Sequence, residues 1–304
     1  MTTTSGSTAD SVVSEDRPTT AEVDLVLYEV DDGVALFRLN RPEGRNGWSH
    51  QMERRYFQLL AEADQDDSVR AAVVTGTGRA FCPGMDMSRL SSVAGQPMEV
   101  GGRAPQYTPR LFRKPLIAAI NGACAGVGLV QAMQCDVRFA ARGAKFSTSF
   151  ARRGLGAEYN MSWVLPRYVG VENALDLLLS GRTFDADEAK ELRLVSRVVA
   201  PEDVVAAATA YARDLAKNCS PKAMAVIRHQ VLADLDRTFE ASLYGAYAVM
   251  DALVQDADFA EGVASYLEKR PPEFAPLSDD FDPEGLVGAP VSGARLTARE
   301  LLGR

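Results

Sequence analysis

Apolar positions along this chain follow two different spacings, and short apolar runs dominate the first half. These runs are bounded by turn residues, which is typical of buried β-strands. They predict strands at residues 23–30, 34–39, 69–75, 116–120 and 137–140. The Asp31-Asp32-Gly33 turn separates the first two runs and favours a β-hairpin.

Helical spacing and helix-end residues become frequent further along. Ser49 is the predicted N-cap of a helix whose apolar face includes Met52, Tyr56, Leu59 and Leu60. Later helices are predicted at residues 128–134, 171–180, 238–253 and 258–269, with further helix starts at Asp185, Pro201 and Ser220.

The order of these elements predicts the domain organisation. Strands alternate with helices early and helices follow alone, which predicts an α/β core at residues 22–200 and a helical C-terminal part at 201–270. Residues 1–21 are rich in Ser, Thr and Asp and are predicted to be a disordered tail. Residues 271–304 turn to Pro, Asp, Gly and Ser and are predicted to be a loose C-terminal tail.

Composition narrows the class of protein. The 304 residues are 46% hydrophobic, enough for a large core, and no apolar run is long enough to cross a bilayer. The N-terminus lacks the basic start and apolar stretch of a secretory signal, and the four cysteines lack metal-ligand spacing. We therefore expect a cytoplasmic protein with reduced thiols and no membrane partner. A net charge of −8 argues against nucleic-acid binding.

Two glycine-rich turns each follow an apolar strand. They occupy residues 80–86 and 121–128, and an apolar helix follows the second. Glycine allows a sharp turn and close approach of a ligand, and a helix start leaves backbone N–H groups free. Two such turns could direct two N–H groups at one developing oxyanion. Taken singly, glycine-rich turns in α/β proteins are often only tight connections.

Several motifs, in order and at matching spacing, resemble the crotonase (enoyl-CoA hydratase/isomerase) superfamily. The resemblance covers roughly residues 23–270 and is much more specific for the superfamily than for a reaction. The motifs are Leu39-Asn40-Arg41-Pro42, Gly78-Arg79-Ala80-Phe81-Cys82-Pro83-Gly84-Met85-Asp86-Met87, Lys114-Pro115-Leu116-Ile117-Ala118-Ala119-Ile120-Asn121-Gly122, Cys135-Asp136, Leu165-Pro166-Arg167 with Gly170, and Leu194-Val195.

The resemblance implies an α/β fold, a crotonase-like ββα spiral core with a C-terminal helical trimerisation subdomain. It implies a homo-oligomer, trimer or hexamer, and an acyl-CoA thioester substrate, with coenzyme A as part of the substrate and no metal or redox cofactor. The thioester oxygen would accept hydrogen bonds from the backbone N–H groups of Met85 and Val127, which strengthen as an enolate forms. The resemblance also suggests substrate-binding residues, which are Pro83, Gly84, Asp86, Met87, Gly126, Val130 and Phe150. Its candidates for the CoA phosphates are Arg41, Arg45 and Lys269.

The chain departs from the family pattern at two positions that matter for chemistry. The two glutamates that hydratases of this family use fall on Val130 and Phe150, neither of which transfers a proton. Glu158 lies where single-glutamate enoyl-CoA isomerases of the family carry their catalytic carboxylate. A carboxylate facing an apolar pocket has a raised pKa, which suits a general base and acid. The alternative is that Glu158 is an ordinary first-turn helix residue.

These observations predict an enoyl-CoA isomerase-type enzyme. Glu158 would move a proton from C2 to C4 of a 3-enoyl-CoA while the two amides hold the enolate. One alternative is a hydratase that uses Glu158 alone, and another is a non-catalytic acyl-CoA-binding protein. The superfamily also includes thioester hydrolases and decarboxylases.

Overall fold

The computed structural model describes residues 25–86, 91 and 104–288. The predicted tail at residues 1–21, the predicted site residue Met87 and residues 289–304 of the predicted C-terminal tail lie outside the described residues. In the described part, the chain alternates strands and helices and then becomes helical, so the expected α/β order is confirmed.

A six-stranded sheet forms the centre of the molecule. Its order is β1-β2-β3-β5-β7-β10, with β1 antiparallel to β2 and all other pairs parallel. Parallel strands buried on both faces read as continuous apolar runs, as the sequence does here. The strands are β1 (Val26–Asp31), β2 (Val34–Leu39), β3 (Ala71–Gly76), β5 (Leu116–Ile120), β7 (Val137–Ala141) and β10 (Arg197–Val199).

The predicted hairpin between β1 and β2 is present. Asp32 and Gly33 both have positive φ, 48° and 77°, which a two-residue turn of the primed type requires. The pairing joins Val26 to Leu39 at one end and Asp31 to Val34 at the other.

A smaller sheet continues the chain beyond the ends of the central strands. Its order is β4-β6-β8-β9, and only the β8–β9 pair is antiparallel. β4 follows β3, β6 follows β5 and β8 follows β7, so a short strand comes after each of these three central strands. These strands are β4 (Ala80–Cys82), β6 (Ala123–Ala125), β8 (Lys145–Ser147) and β9 (Phe184–Asp185).

The helices begin where the capping residues predict. The hydroxyl of Ser49 accepts a hydrogen bond from the Met52 N–H at 3.2 Å, and Asp185, Ser220 and Thr238 cap their helices in the same way. The helices are α1 (His50–Gln65), α2 (Val127–Gln134), α3 (Met161–Val169), α4 (Val171–Ser180), α5 (Ala186–Glu191), α6 (Val204–Asn218), α7 (Pro221–Asp234), α8 (Phe239–Leu253), α9 (Ala257–Glu268) and α10 (Pro283–Gly288). Within the described residues, none of them has the length and apolar character needed to traverse a bilayer.

Two boundaries differ from the sequence-based expectation. Helix α6 was assigned to the C-terminal helical part, but its alanines at positions 208, 212 and 216 are buried in the main core against the sheet. Residues 271–288 do not form a loose tail. Arg113 donates hydrogen bonds to the carbonyl oxygens of Ser278, Asp279 and Phe281 at 3.0–3.1 Å, and Val287 is buried against α7 and α8. The segment has few apolar residues to anchor it, and its many proline and aspartate residues are typical of a loop.

Candidate active site

The two glycine-rich turns come into contact at their backbones. A Cβ atom built on Gly84 would lie 3.3 Å from the carbonyl oxygen of Ala125, and one on Gly126 would lie 3.7 Å from the Gly84 Cα. Both residues have positive φ, 117° and 50°. The parallel pairing of β4 with β6 aligns the two turns, and the glycines let them approach.

Gly128, on the first turn of α2, approaches the end of β4 even more closely. A Cβ atom there would lie 2.0 Å from the carbonyl oxygen of Cys82. No real side chain tolerates such a distance, so this position requires glycine. The helix that begins at Val127 is therefore pressed directly onto the strand that leads to Met85.

The N–H groups of Met85 and Val127 have no acceptor in the described part of the chain. The Val127 N–H starts helix α2, where no preceding turn is available to accept it. Met85 pairs with Trp48 in an isolated parallel bridge, but the hydrogen bonds of that bridge use the Gly84 carbonyl and the Asp86 N–H. These are the two donors that the sequence predicted, and they follow two glycines that touch.

Glu158 lies just before helix α3, and its side chain is half-buried. Burial raises the pKa of its carboxyl above the usual 4.5. Tyr159 and Asn160, which follow it, both have left-handed backbone conformations with φ of 51° and 63°. Such strain is concentrated at functional sites. Helix α3 packs against α2, whose N-terminus carries Val127.

The positions where hydratases of the family carry their glutamates are apolar and buried. Val130 is fully buried on α2, one turn after Val127, and Phe150 is also buried. Neither side chain contains an oxygen atom that could hold a water molecule. The cysteines near the turns do not supply a nucleophile either, because burial raises the pKa of both Cys82 and Cys135 to about 12.

The other predicted substrate-binding residues are placed as follows. Gly84 and Gly126 form the contact between the turns, and Pro83 is exposed at the start of the first turn. Asp86 is half-buried and forms an ion pair with Arg41, with 2.6 Å between Nη1 and Oδ2.

The three cations considered for the CoA phosphates are in different situations. Arg41 is paired with Asp86, which belongs to the first turn, so this ion pair stabilises that turn. Arg45 and Lys269 are both exposed, and each has a left-handed backbone, with φ of 54° and 56°. Among the described residues, no group of three or more His, Cys, Asp or Glu side chains is arranged to hold a metal ion.

A buried polar network behind the turns was not predicted. Glu53 accepts hydrogen bonds from Trp48 Nε1 at 2.9 Å and from Gln106 Nε2 at 2.6 Å, and Gln106 Oε1 accepts one from Gln131 Nε2 at 2.8 Å. One signal was present in the sequence, since Glu53 interrupts the apolar face formed by Met52, Tyr56 and Leu60. A lone carboxylate on a buried helix face requires polar partners.

Comparison with known proteins assigns the chain to a family. Residues 29–276 match the profile of the enoyl-CoA hydratase/isomerase family. The chain therefore belongs to this family and has the crotonase fold.

Relatives with curated names include both hydratases and an isomerase. The chain is 35% identical to "Enoyl-CoA hydratase ACTT3" of Alternaria alternata over 261 residues, which span 84% of this chain and 88% of that protein. It is 31% identical to "1,2-epoxyphenylacetyl-CoA isomerase" of Escherichia coli (strain K12) over 259 residues, 83% of this chain and 98% of that protein.

Solved structures agree with the fold. A probable enoyl-CoA hydratase/isomerase from Mycobacterium abscessus superposes with a TM-score of 0.77 at 28% identity, covering 83% of this chain and 99% of that one. The enoyl-CoA hydratase EchA12_1 from Mycobacterium marinum is 47% identical, with a TM-score of 0.61 over 70% of this chain and 100% of that one.

The contact between α2 and β4 gives a test of how the two turns are held together. Gly128→Ala places a methyl group against the Cys82 carbonyl and should lower the free energy of unfolding by about 1–3 kcal/mol or more. Gly156→Ala is the matched control, because a Cβ atom there meets nothing within 4 Å. Urea unfolding of both variants measures the difference. Equal stability of the two variants would contradict the close approach described here.

Proposed function

We propose that this chain is an acyl-CoA enzyme that shifts the double bond of a 3-enoyl-CoA to give the 2-enoyl-CoA. The backbone N–H groups of Met85 and Val127 bind the thioester oxygen as it becomes an enolate. Glu158 removes a proton at C2 and returns it at C4. The observation that carries this proposal is that Glu158 is half-buried with a raised pKa, in a family member whose two hydration positions are apolar.

The protein groups account for each stage of this reaction. Removing the C2 proton places negative charge on the thioester oxygen, and two fixed N–H donors stabilise that charge more than they stabilise the ground state. The proton resides on Glu158 between the two transfers, and a raised pKa makes the protonated carboxyl easier to form. The bond between C3 and C4 loses its double character as that between C2 and C3 gains it, so atoms and charge balance.

Hydration is the main alternative reaction within the family. It requires a water molecule held next to a base, and Val130 and Phe150 provide no oxygen for it. The side chains permit hydration only if Glu158 acts alone and backbone groups bind the water molecule. The names of the relatives include hydratases and an isomerase, so the choice between these reactions depends on the site.

We further propose that the exposed cations Arg45 and Lys269 contact the phosphates of coenzyme A. Arg41 is a weaker candidate than the sequence suggested, because it is already paired with Asp86. A guanidinium binds phosphate through two N–H groups, and an exposed one does so without breaking an existing pair.

Exposed apolar side chains on the last helices support a homo-oligomer, trimer or hexamer, as part of this proposal. The side chains of Phe239, Met250, Phe259, Tyr266 and Leu267 are all at least half exposed, and Phe239 reaches 85%. Several large apolar side chains exposed on consecutive helices favour a protein–protein interface there.

Glu158→Gln tests the proton transfer. The substitution keeps the shape of the side chain and removes the base, so kcat for isomerisation of a 3-enoyl-CoA should fall about 10²–10⁴-fold. Because the base must be ionised and its pKa is raised, wild-type kcat/KM should fall as pH drops through a pKa above 4.5. The residual activity of Glu158→Gln should lack this acidic limb. Product analysis with 3-enoyl-CoA and with 2-enoyl-CoA plus water distinguishes isomerisation from hydration.

A control variant and a stability measurement complete this test. Glu172→Gln removes an exposed carboxylate from the first turn of α4 and should leave activity unchanged. Since folding raises the pKa of Glu158, the folded state disfavours its ionised form at neutral pH, and Glu158→Gln should unfold at a temperature no lower than wild type. Water addition to a 2-enoyl-CoA without migration of a double bond would refute the isomerase assignment. Full activity of Glu158→Gln would refute the role of Glu158.

The oligomer proposal predicts the mass in solution. Sedimentation velocity should give a species at three or six times the 32.8 kDa chain mass. A single species at 32.8 kDa would contradict it.

A further inference from the structure

Glu53 is a buried carboxylate outside the set of residues that the proposed reaction uses. It lies on α1 and is only 4% exposed, among apolar neighbours. Its carboxylate accepts hydrogen bonds from Trp48 and Gln106, and a buried charge held by N–H donors forms stronger bonds than a neutral group does. The Glu53 carboxylate therefore fixes the positions of the side chains that donate to it.

The first of these donors is joined to the Met85 turn. The Trp48 N–H donates to the Gly84 carbonyl at 2.8 Å, and the Trp48 carbonyl accepts from the Asp86 N–H at 3.3 Å. Met85 lies between these two bonds. The position of the Trp48 backbone therefore sets the position of the Met85 N–H, and the indole of Trp48 is anchored on Glu53.

The second donor is joined to the Val127 turn. Gln106 holds the side chain of Gln131 through its Oε1 atom at 2.8 Å, and Gln131 also donates to the Gln106 carbonyl at 3.3 Å. Gln131 is on α2, one helical turn after Val127. Glu53 is thus connected through one side chain to one turn and through two side chains to the other.

We propose that Glu53 is a positioning residue that fixes the two oxyanion-binding N–H groups relative to each other. This inference rests on the proposed function for the identity of those two groups. Donors that stabilise a developing oxyanion must be held before the reaction begins, and a supporting layer of hydrogen bonds provides that rigidity. The contact between Gly84 and Gly126 aligns the two turns, and the hydrogen bonds that lead from Glu53 to each turn hold them in that alignment.

The network also predicts which substitution of Glu53 is tolerated. Trp48 Nε1 and Gln106 Nε2 both donate to the Oε2 atom of Glu53. In Glu53→Gln, the amide oxygen at the Oε2 position still accepts both hydrogen bonds, so Gln106 and Gln131 keep their orientations. The substitution removes the negative charge and keeps both connections to the turns.

The experiment compares Glu53→Ala, Glu53→Gln and Glu62→Gln in the full-length chain. Glu62 is an exposed carboxylate on the same helix and serves as the matched control. The assay uses 3-enoyl-CoA and 2-enoyl-CoA, and follows whichever reaction the wild type catalyses. We expect kcat of Glu53→Ala to fall about 10–100-fold with little change in KM, since misplacement of about 1 Å has effects of this size. Glu53→Gln should stay within about threefold of wild type, and Glu62→Gln should match it.

Hydrogen–deuterium exchange of the substrate-free protein provides a second measurement that needs no activity. In Glu53→Ala, the hydrogen-bonded amides of Trp48, Asp86, Val130 and Gln131 should exchange faster, while those of β9 and α5 should be unchanged. If the wild type catalyses neither reaction, the proposed function fails and the exchange result still decides this inference. If Glu53→Ala does not fold, Gln131→Leu replaces it, because it breaks the same network at its end.

Three results would overturn the role of Glu53. One is a folded Glu53→Ala with wild-type kcat, and another is unchanged exchange at both turns. The third is a Glu53→Gln variant as impaired as Glu53→Ala, which would show that the hydrogen bonds accepted at position 53 do not position the two turns.

Discussion

The contact between two backbone turns is the constraint on which the rest of this site depends. Gly84 and Gly126 touch, and Gly128 places the start of α2 against the last residue of β4. A side chain at Gly128 would separate the helix from the strand and move Val127 away from Met85. The two N–H groups belong to segments more than forty residues apart in sequence, and this contact together with the β4–β6 pairing brings those segments together.

The two carboxylates on which the proposals rest differ in their hydrogen bonding. Glu158, the base of the proposed reaction, is half-buried, and burial raises the pKa of its carboxyl. Glu53 is also buried, but its carboxylate accepts hydrogen bonds from Trp48 and Gln106. This difference suits a proton carrier at Glu158 and a positioning role at Glu53, as proposed.

Much of the fold could be predicted from the sequence, and the reasons are local. Continuous apolar runs marked the parallel strands, Ser49 and Ser220 marked helix starts, and the Asp32-Gly33 turn marked the hairpin. The two glycine-rich turns were recognisable because each follows an apolar strand and the second leads into an apolar helix. Glu53 was missed because its partners, Gln106 and Gln131, are distant in sequence and no spacing rule connects them. The order of residues 271–288 was not predicted because their apolar anchors are few and their other anchors are carbonyl groups that bind Arg113, which side-chain composition does not reveal.

The most direct test of the account is the vibrational frequency of the thioester carbonyl in a bound acyl-CoA that cannot react. If the Met85 and Val127 N–H groups both donate to that oxygen, the carbonyl stretch should move to lower frequency than in water, because two fixed donors polarise the bond. Isotopic labelling of the thioester carbonyl assigns the band. A carbonyl frequency equal to that of the free thioester in water would contradict the two-amide site.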